Sequence, residues 1–337
     1  LNSALPNPFI SILIRSRNRL PQVKELLDIC LDQDYVPFEV VIIEQSDAQH
    51  RAENSHFLKN LNVEHVRVVE TVPLGPAGAR NVGSAHCHGE VVLFIDDDDL
   101  PLGNNWIAYH ARHYMDPNCI GVSGRYVHDS KEVMRYNDPE RAYKSCLSYS
   151  FFLRGRDFTG IDKIKIPVQW LHGSNASIRR QYILDLGGWY PHLNDCEEHS
   201  FCFKLKRVLK RDEYLLFDPG PKCLRRYQIH GGIGRRSFAY SEIIEEWLKY
   251  YHWVVAKYYP FRFYGLYPLF MLYAFNFATR WYRIHNLPKS QRERKFWKNG
   301  SWKREILKEM FKLPFSAGKF LILPRPSEGN KSIQQLN

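Results

Sequence analysis

Residues Val91–Pro101 read VVLFIDDDDLP: an apolar run, four consecutive aspartates, then Leu-Pro. Adjacent carboxylates repel one another, so something must compensate them, and a divalent cation does so. In an extended chain alternate side chains share a face. Asp96 and Asp98 are therefore predicted to point together, with Asp97 and Asp99 pointing away. Such a D-x-D pair grips one hard cation, Mn2+ or Mg2+, through oxygen ligands. The plainer alternative is a solvated acidic loop at a strand end.

Outward from this stretch the pattern repeats. Phe9–Arg19 (FISILIRSRNR) is an apolar, β-branched run that turns abruptly basic, as a buried strand ending in a polar loop does. LPQVKELLDICLDQ follows with helix-like apolar spacing at Val23, Leu26, Leu27, Ile29 and Cys30. FEVVIIEQSDA (Phe38–Ala48) is a second strand with a polar tail, VEHVRVVE a third, and GPAGARNVGSAHCHGE a small-residue helix before Val91. Alternating strands and helices with continuous apolar strands predict an α/β fold: a mixed, mainly parallel sheet flanked by helices. Ligands bind such sheets at the carboxyl ends of the strands. The tails RSRNR, EQSD and DDDD all fall there, so one crevice is expected to collect them.

The chain has 337 residues, 44% hydrophobic and 25% charged, which excludes a disordered or fibrous protein. Its net charge of +11 favours an anionic partner: nucleic acid, anionic lipid or a phosphorylated small molecule. Seven scattered cysteines without close C-x-x-C spacing argue against a disulfide framework or a structural zinc site, and favour a reducing cytosol. LNSALPNPF contains no basic segment followed by an apolar one, so no signal peptide is expected. After Thr279 about fourteen Lys/Arg face four Asp/Glu, a local excess that suits anions. Phe263–Thr279 lacks charge for seventeen positions but is short for a bilayer span and carries Pro268, Asn276 and several Tyr. It reads as an amphipathic element lying on a membrane surface, with a helical cap or an oligomer interface as alternatives. His110 and His113 lie three apart on an expected helix with no third ligand, and read as a solvated pair.

The ordered series ISILIRSRNR, EVVIIEQSDA, GPAGARNVGSAHCHGEVVLFIDDDDLP, HGSNASIRR, LGGW and CEEHSFCFKL resembles the family 2 glycosyltransferases of the GT-A fold, over about Phe9 to Arg236. The resemblance, with the change to helical, aromatic and basic character from about Ser241, divides the chain into three expected segments. Residues 1–120 form the nucleotide-sugar half, 121–237 the acceptor half, and 238–337 a helical extension. It further implies a metal-dependent, inverting transfer from a nucleoside diphosphate sugar, UDP-linked by preference, to a glycan or lipid-linked acceptor. Asp96 and Asp98 match the metal-binding carboxylates, and His230 in IHGGIGRRS falls where such enzymes place a His near diphosphate or metal. Arg15, Arg17, Glu44, Arg80, Asp96 and Asp97 fall on the donor site. Glu44 stands where the family has a base-binding Asp, and Arg17 where it often has an aromatic ring. Arg15, Arg17, Arg19 and Arg80 make the crevice basic, as a diphosphate needs. Glu198, second of the acidic pair Glu197–Glu198 and followed by Lys204, matches the catalytic base; Asp195 and Glu197 stay open as alternatives. Gly173–Asn175 is expected to turn beside the sugar. The setting implied is cytoplasmic, at most peripheral at the inner face of a membrane, with no nucleic acid and the oligomeric state left open.

Two rivals use the same residues. A metal-dependent nucleotidyltransferase or phosphohydrolase needs paired carboxylates and basic residues, but no separate acidic base in the second half. A nucleic-acid-binding protein would explain the net charge. It would leave four phosphate-repelling carboxylates without a purpose. No G-x-G-x-x-G follows the first strand, which argues against a dehydrogenase.

Overall fold

The structure is a computed structural model that describes residues 6–59, 61, 63–128, 149–153, 161, 163–226 and 240–285. The chain divides into two compact units. One comprises Leu1–His192, Glu197–Tyr227 and Glu328–Asn337, the other Leu193–Cys196 and Gln228–Ser327.

The first unit is built on one mixed sheet. Its strands are β1 (Ile10–Ser16), β2 (Phe38–Glu44), β3 (Val66–Glu70), β4 (Val91–Asp96), β5 (Asp99–Pro101), β6 (Cys119–His128), β7 (Ile166–Val168), β8 (Ala176–Arg179) and β9 (Tyr214–Arg225). They lie in the order β3-β2-β1-β4-β8-β6-β9-β5, with β7 on β9. Strands β3, β2, β1 and β4 run parallel to one another, whereas β8 runs antiparallel to both β4 and β6. The expected halves 1–120 and 121–237 thus share a single sheet, joined at β4 and β8.

Helices α1 (Leu20–Leu31), α2 (Ala48–Lys59), α3 (Gly75–His86), α4 (Trp106–Ala111), α5 (Arg180–Asp185) and α6 (Glu197–Val208) accompany it. Strand β1 explains the apolar run in the sequence, because both of its faces are covered. Ile10, Ile12 and Ile14 pack with Val23, Leu26, Leu27 and Cys30 of α1. On the opposite face Leu13 meets α3 so closely that a Cβ on Gly83 would collide with its side chain. The small residues of α3 are what permit that approach.

From β1 the chain passes through α1 to β2 on one side. From β3 it returns through α3 to β4 on the other side of β1. The carboxyl ends of β1 and β4 therefore form the point where strand order reverses, the usual ligand position in such sheets. Register puts Arg15 opposite Asp96 and Ser16 opposite Glu44, so the three polar tails meet as the sequence predicts.

Among the described residues of the second unit are helices α7 (Tyr240–Lys249), α8 (Ala256–Tyr258), α9 (Pro260–Gly265) and α10 (Tyr267–His285), with a π-helical turn at Tyr250–Val255. Their core is aromatic. Trp247 lies 4.4 Å from Phe277, Tyr251 5.2 Å from Phe270, and His252 5.4 Å from Phe263. No described helix is long and apolar enough to cross a membrane. One side of the uncharged Phe263–Thr279 run is packed inward, at Phe263, Phe270, Met271, Ala274 and Ala278.

Candidate active site

The strand β4 stops at Asp96, and Asp97–Asp98 form a turn before β5 resumes at Asp99. The turn breaks the strand alternation and corrects one expectation. Asp99 does not point away from the pair; Asp96, Asp98 and Asp99 each offer a carboxylate oxygen, all within 4.8 Å of one another. Asp97 alone diverges, into a buried pair of contacts with Ser16 Oγ (2.7 Å) and Arg19 (2.6 Å).

Each aspartate has an arginine. Arg15 grips Asp96 through two bonds of 2.6 and 2.9 Å. Arg19, just before α1, donates to Asp97 and, at 3.0 Å, to Asp98. Arg225 from β9 reaches both oxygens of Asp99 at 3.0 Å while lying over the Tyr126 ring. Three arginines against four aspartates leave the group short of positive charge. Burial pushes the Asp97 carboxyl up to about 7, with Asp98 adding to the effect. Burial, then Asp96 and Asp99, raise Asp98 as well. Burial also opposes the charge on Asp96, but Arg15 overrides it and holds that carboxyl below its usual range. An oxygen-only set with unmet negative charge suits a hard divalent cation, so Asp96, Asp98 and Asp99 fit Mn2+ or Mg2+.

The turn Gly173–Asn175, before β8, ties this cluster to a second acidic group. Ser174 Oγ accepts the Asp96 backbone N–H at 2.8 Å and donates to Asp99 at 2.6 Å. Its neighbour Gly173 accepts a bond of 2.9 Å from Arg80 of α3. The same guanidinium pairs with Glu197 at 2.7 Å, in the first turn of α6, and stands 3.9 Å from Glu198. Arg80 is only 2% exposed, so it braces α3, α6 and the Gly173 turn. A Cβ at Gly173 would collide with both Arg80 Nη2 and Glu198 Oε1. The side chain of Glu197 is 4% exposed and that of Glu198 24%.

The remaining expected residues fall as follows. Arg17 is exposed beyond the end of β1. Glu44 is 1% exposed, and its carboxylate accepts the Ser46 backbone N–H at 2.6 Å and the Asn54 amide at 3.3 Å. It shapes the loop after β2 from within. Lys204 is buried, donates to the Gly188 carbonyl at 2.8 Å, and seals the Gly187–Gly188 turn, where both φ angles are positive. His230 lies outside the described residues.

His110 and His113 are not a solvated pair. His110 is fully buried against Ser177 Oγ (2.9 Å) and Asn175 Oδ1 (3.1 Å), and burial lowers its pKa to about 3. His113 instead meets Asp218 at 2.6 Å. Helix spacing put them on one face, but each found a partner more than sixty residues away. Sequence reasoning placed Ser174 in a turn at the site without its bonds to Asp96 and Asp99, and missed Arg225 and the part played by Asp99. The only signal for Arg225 was a basic pair at the end of an apolar strand.

Comparison with known proteins gives the family and the fold. The family model for glycosyl transferase family 2 matches residues 11–187, and the chain belongs to that family. The pre-mycofactocin glycosyltransferase of Mycobacterium tuberculosis is 26% identical over 166 residues, 49% of this chain and 33% of that protein. The poly(ribitol-phosphate) beta-N-acetylglucosaminyltransferase TarS of Staphylococcus aureus is 31% identical over 129 residues, 36% of this chain and 22% of its own length. The chain thus spans a third or less of these two relatives. The TarS 1-349 structure in complex with UDP-GlcNAc aligns at TM-score 0.51 and 15% identity, covering 81% of each chain. The mannosyltransferase PcManGT of Pyrobaculum calidifontis, in complex with GDP-Man and Mn2+, aligns at TM-score 0.52 and 17% identity, covering 94% of this chain and 88% of its own. Both alignments show the GT-A glycosyltransferase fold.

Proposed function

We propose that the chain is a metal-dependent, inverting glycosyltransferase that moves a sugar from a nucleoside diphosphate, UDP by preference, to a hydroxyl of a glycan or lipid-linked acceptor. With a lipid-linked acceptor the site of work is the inner face of a membrane. The observation that carries the reading is the Gly173–Ser174 turn. It holds the aspartate cluster on one side and the Arg80–Glu197–Glu198 group on the other, within one site at the carboxyl ends of β1 and β4.

Asp96, Asp98 and Asp99 would hold Mn2+ or Mg2+. Bound there, the ion would supply positive charge to the departing diphosphate. Arg19 assists, since its Nη2 is buried with no hydrogen-bond partner and suits a phosphate oxygen. Glu198 is the general base. An acceptor hydroxyl is a weak nucleophile until a positioned carboxylate takes its proton during attack on the anomeric carbon. The carbon–oxygen bond to the acceptor forms as the bond to the diphosphate breaks, and the proton stays on Glu198. Support for UDP and GDP as candidate nucleotides comes from the two aligned structures, which hold UDP-GlcNAc and GDP-Man.

Calorimetric titration of UDP, GDP and other nucleoside diphosphates, with and without Mn2+, tests this. One nucleotide should bind only with metal, and Asp98→Ala should abolish that binding. Folded protein that binds none of them would end the reading.

A further inference from the structure

We propose that the outer faces of α9 and α10 form a docking surface for an anionic lipid bilayer, lying at the boundary between headgroups and acyl chains. This goes beyond the transfer chemistry and rests on the second unit alone.

The first observation is a division of faces. Phe263 packs against Tyr267 at 5.3 Å and Phe270 at 5.5 Å, so the inner faces of the two helices meet at this ring. On the outside, Phe261 is 94% exposed, Tyr264 52%, Leu269 46% and Leu272 64%. Along α10 the exposed residues Pro268, Leu269, Leu272 and Asn276 recur at helical spacing. Single exposed apolar residues are ordinary on a protein surface. A run of large ones along two consecutive helices marks an interaction site.

The second observation is charge, and it selects the occupant. No Asp or Glu occurs between Glu246 and Glu293, whereas the helices from Ala256 to His285 carry Lys257, Arg262, Arg280 and Arg283. A surface made for a general protein partner would carry both signs at its rim. A segment whose charges are all cationic and which carries exposed Phe and Leu matches the negative potential of an anionic leaflet. Tyr264 suits the headgroup level, where an amphipathic ring with a hydroxyl is favoured. Depth is limited, because no described helix is long and apolar enough to span. The segment lies on the bilayer.

The test is flotation of the full chain with vesicles of phosphatidylcholine, alone or mixed with phosphatidylglycerol, at low and high salt. Expected is binding to the mixed vesicles, weakened by salt, and at least about tenfold loss in Phe261→Glu/Leu272→Glu. Both positions are exposed, so the variant keeps its core, and unchanged circular dichroism would verify this; Phe261→Ser is a milder second variant. Metal-dependent nucleotide binding should survive in both, which separates this surface from the donor site. Absence of flotation with anionic vesicles overturns the proposal, as does flotation that ignores both variants. Concentration-dependent dimers that the double variant disperses, without vesicle binding, would also overturn it and give the surface to a second copy of the chain.

Discussion

Arg80 Nη1 stands 2.7 Å from Glu197 Oε1 with both side chains almost wholly buried, and this pair separates two adjacent glutamates. Glu197 is committed to a structural ion pair, while the Glu198 side chain keeps 24% exposure at the same helix start. Glu198→Gln is expected to lower turnover by about 10²–10⁴-fold with little change in thermal midpoint or nucleotide affinity. Glu197→Ala leaves a buried arginine without its main counter-charge and should cost about 3–5 kcal/mol in denaturant unfolding. Normal turnover in Glu198→Gln would remove it as the base.

Arg225 predicts a rescue by metal. Asp99 is fully buried, and Arg225 is the cation on its carboxylate. Arg225→Met should destabilise the protein by about 3–5 kcal/mol, because it strands that charge. Mn2+ at the Asp96–Asp98–Asp99 cluster would restore the missing positive charge. Thermal melts should therefore show a larger Mn2+-induced rise in the variant than in the native chain. Arg225→Lys should fall between them. Equal rises in all three would separate Asp99 from the metal site.

His110 sets a pH dependence of stability. Burial lowers its pKa from 6.5 to about 3 in the folded state. Below about pH 6.5 the unfolded chain takes up a proton that the folded chain refuses until near pH 3. Stability therefore falls as pH drops through that window, by roughly 2 kcal/mol between pH 7 and pH 5. Urea unfolding of the native chain and His110→Gln at the two pH values isolates the contribution, since all other titrating groups are shared. The variant should show a shallower fall; identical slopes would mean that His110 is protonated when folded.

The backbone of the first unit was readable because its signals are local. Apolar runs at Ile10–Ile14, Val40–Ile43 and Val91–Ile95 mark strands covered on both faces, and their polar tails mark the ligand end. The small residues of α3 likewise announced a helix that packs tightly. What escaped were partners brought by topology. Arg225 meets Asp99 across 126 residues, and His110 meets Asn175 across 65. Asp99 escaped for a different reason. Strand alternation was extended through a stretch whose own carboxylates, drawn to Arg19, Ser16 and Arg225, turn the chain at Asp97–Asp98. Side-chain pairing overrode backbone periodicity there.

Gly173 yields the sharpest test of how the two acidic groups are joined. A methyl group at this position would collide with Arg80 Nη2 and Glu198 Oε1. Arg80 is anchored by Glu197 and by the Gly173 carbonyl itself, so it cannot easily retreat. The partly exposed Glu198 must give way instead. Gly173→Ala should therefore cost about 1–3 kcal/mol in stability through overpacking. Its turnover should drop by about 10²-fold, the penalty of a misplaced catalytic group. Metal-dependent nucleotide affinity should stay within twofold or so, because Ser174 still holds Asp96 and Asp99 from the far side of the turn. Steady-state kinetics beside calorimetry reads both quantities. A variant with native turnover and the expected loss of stability would show that the position of Glu198 does not govern the chemistry, and would send the search for the base back to Asp195.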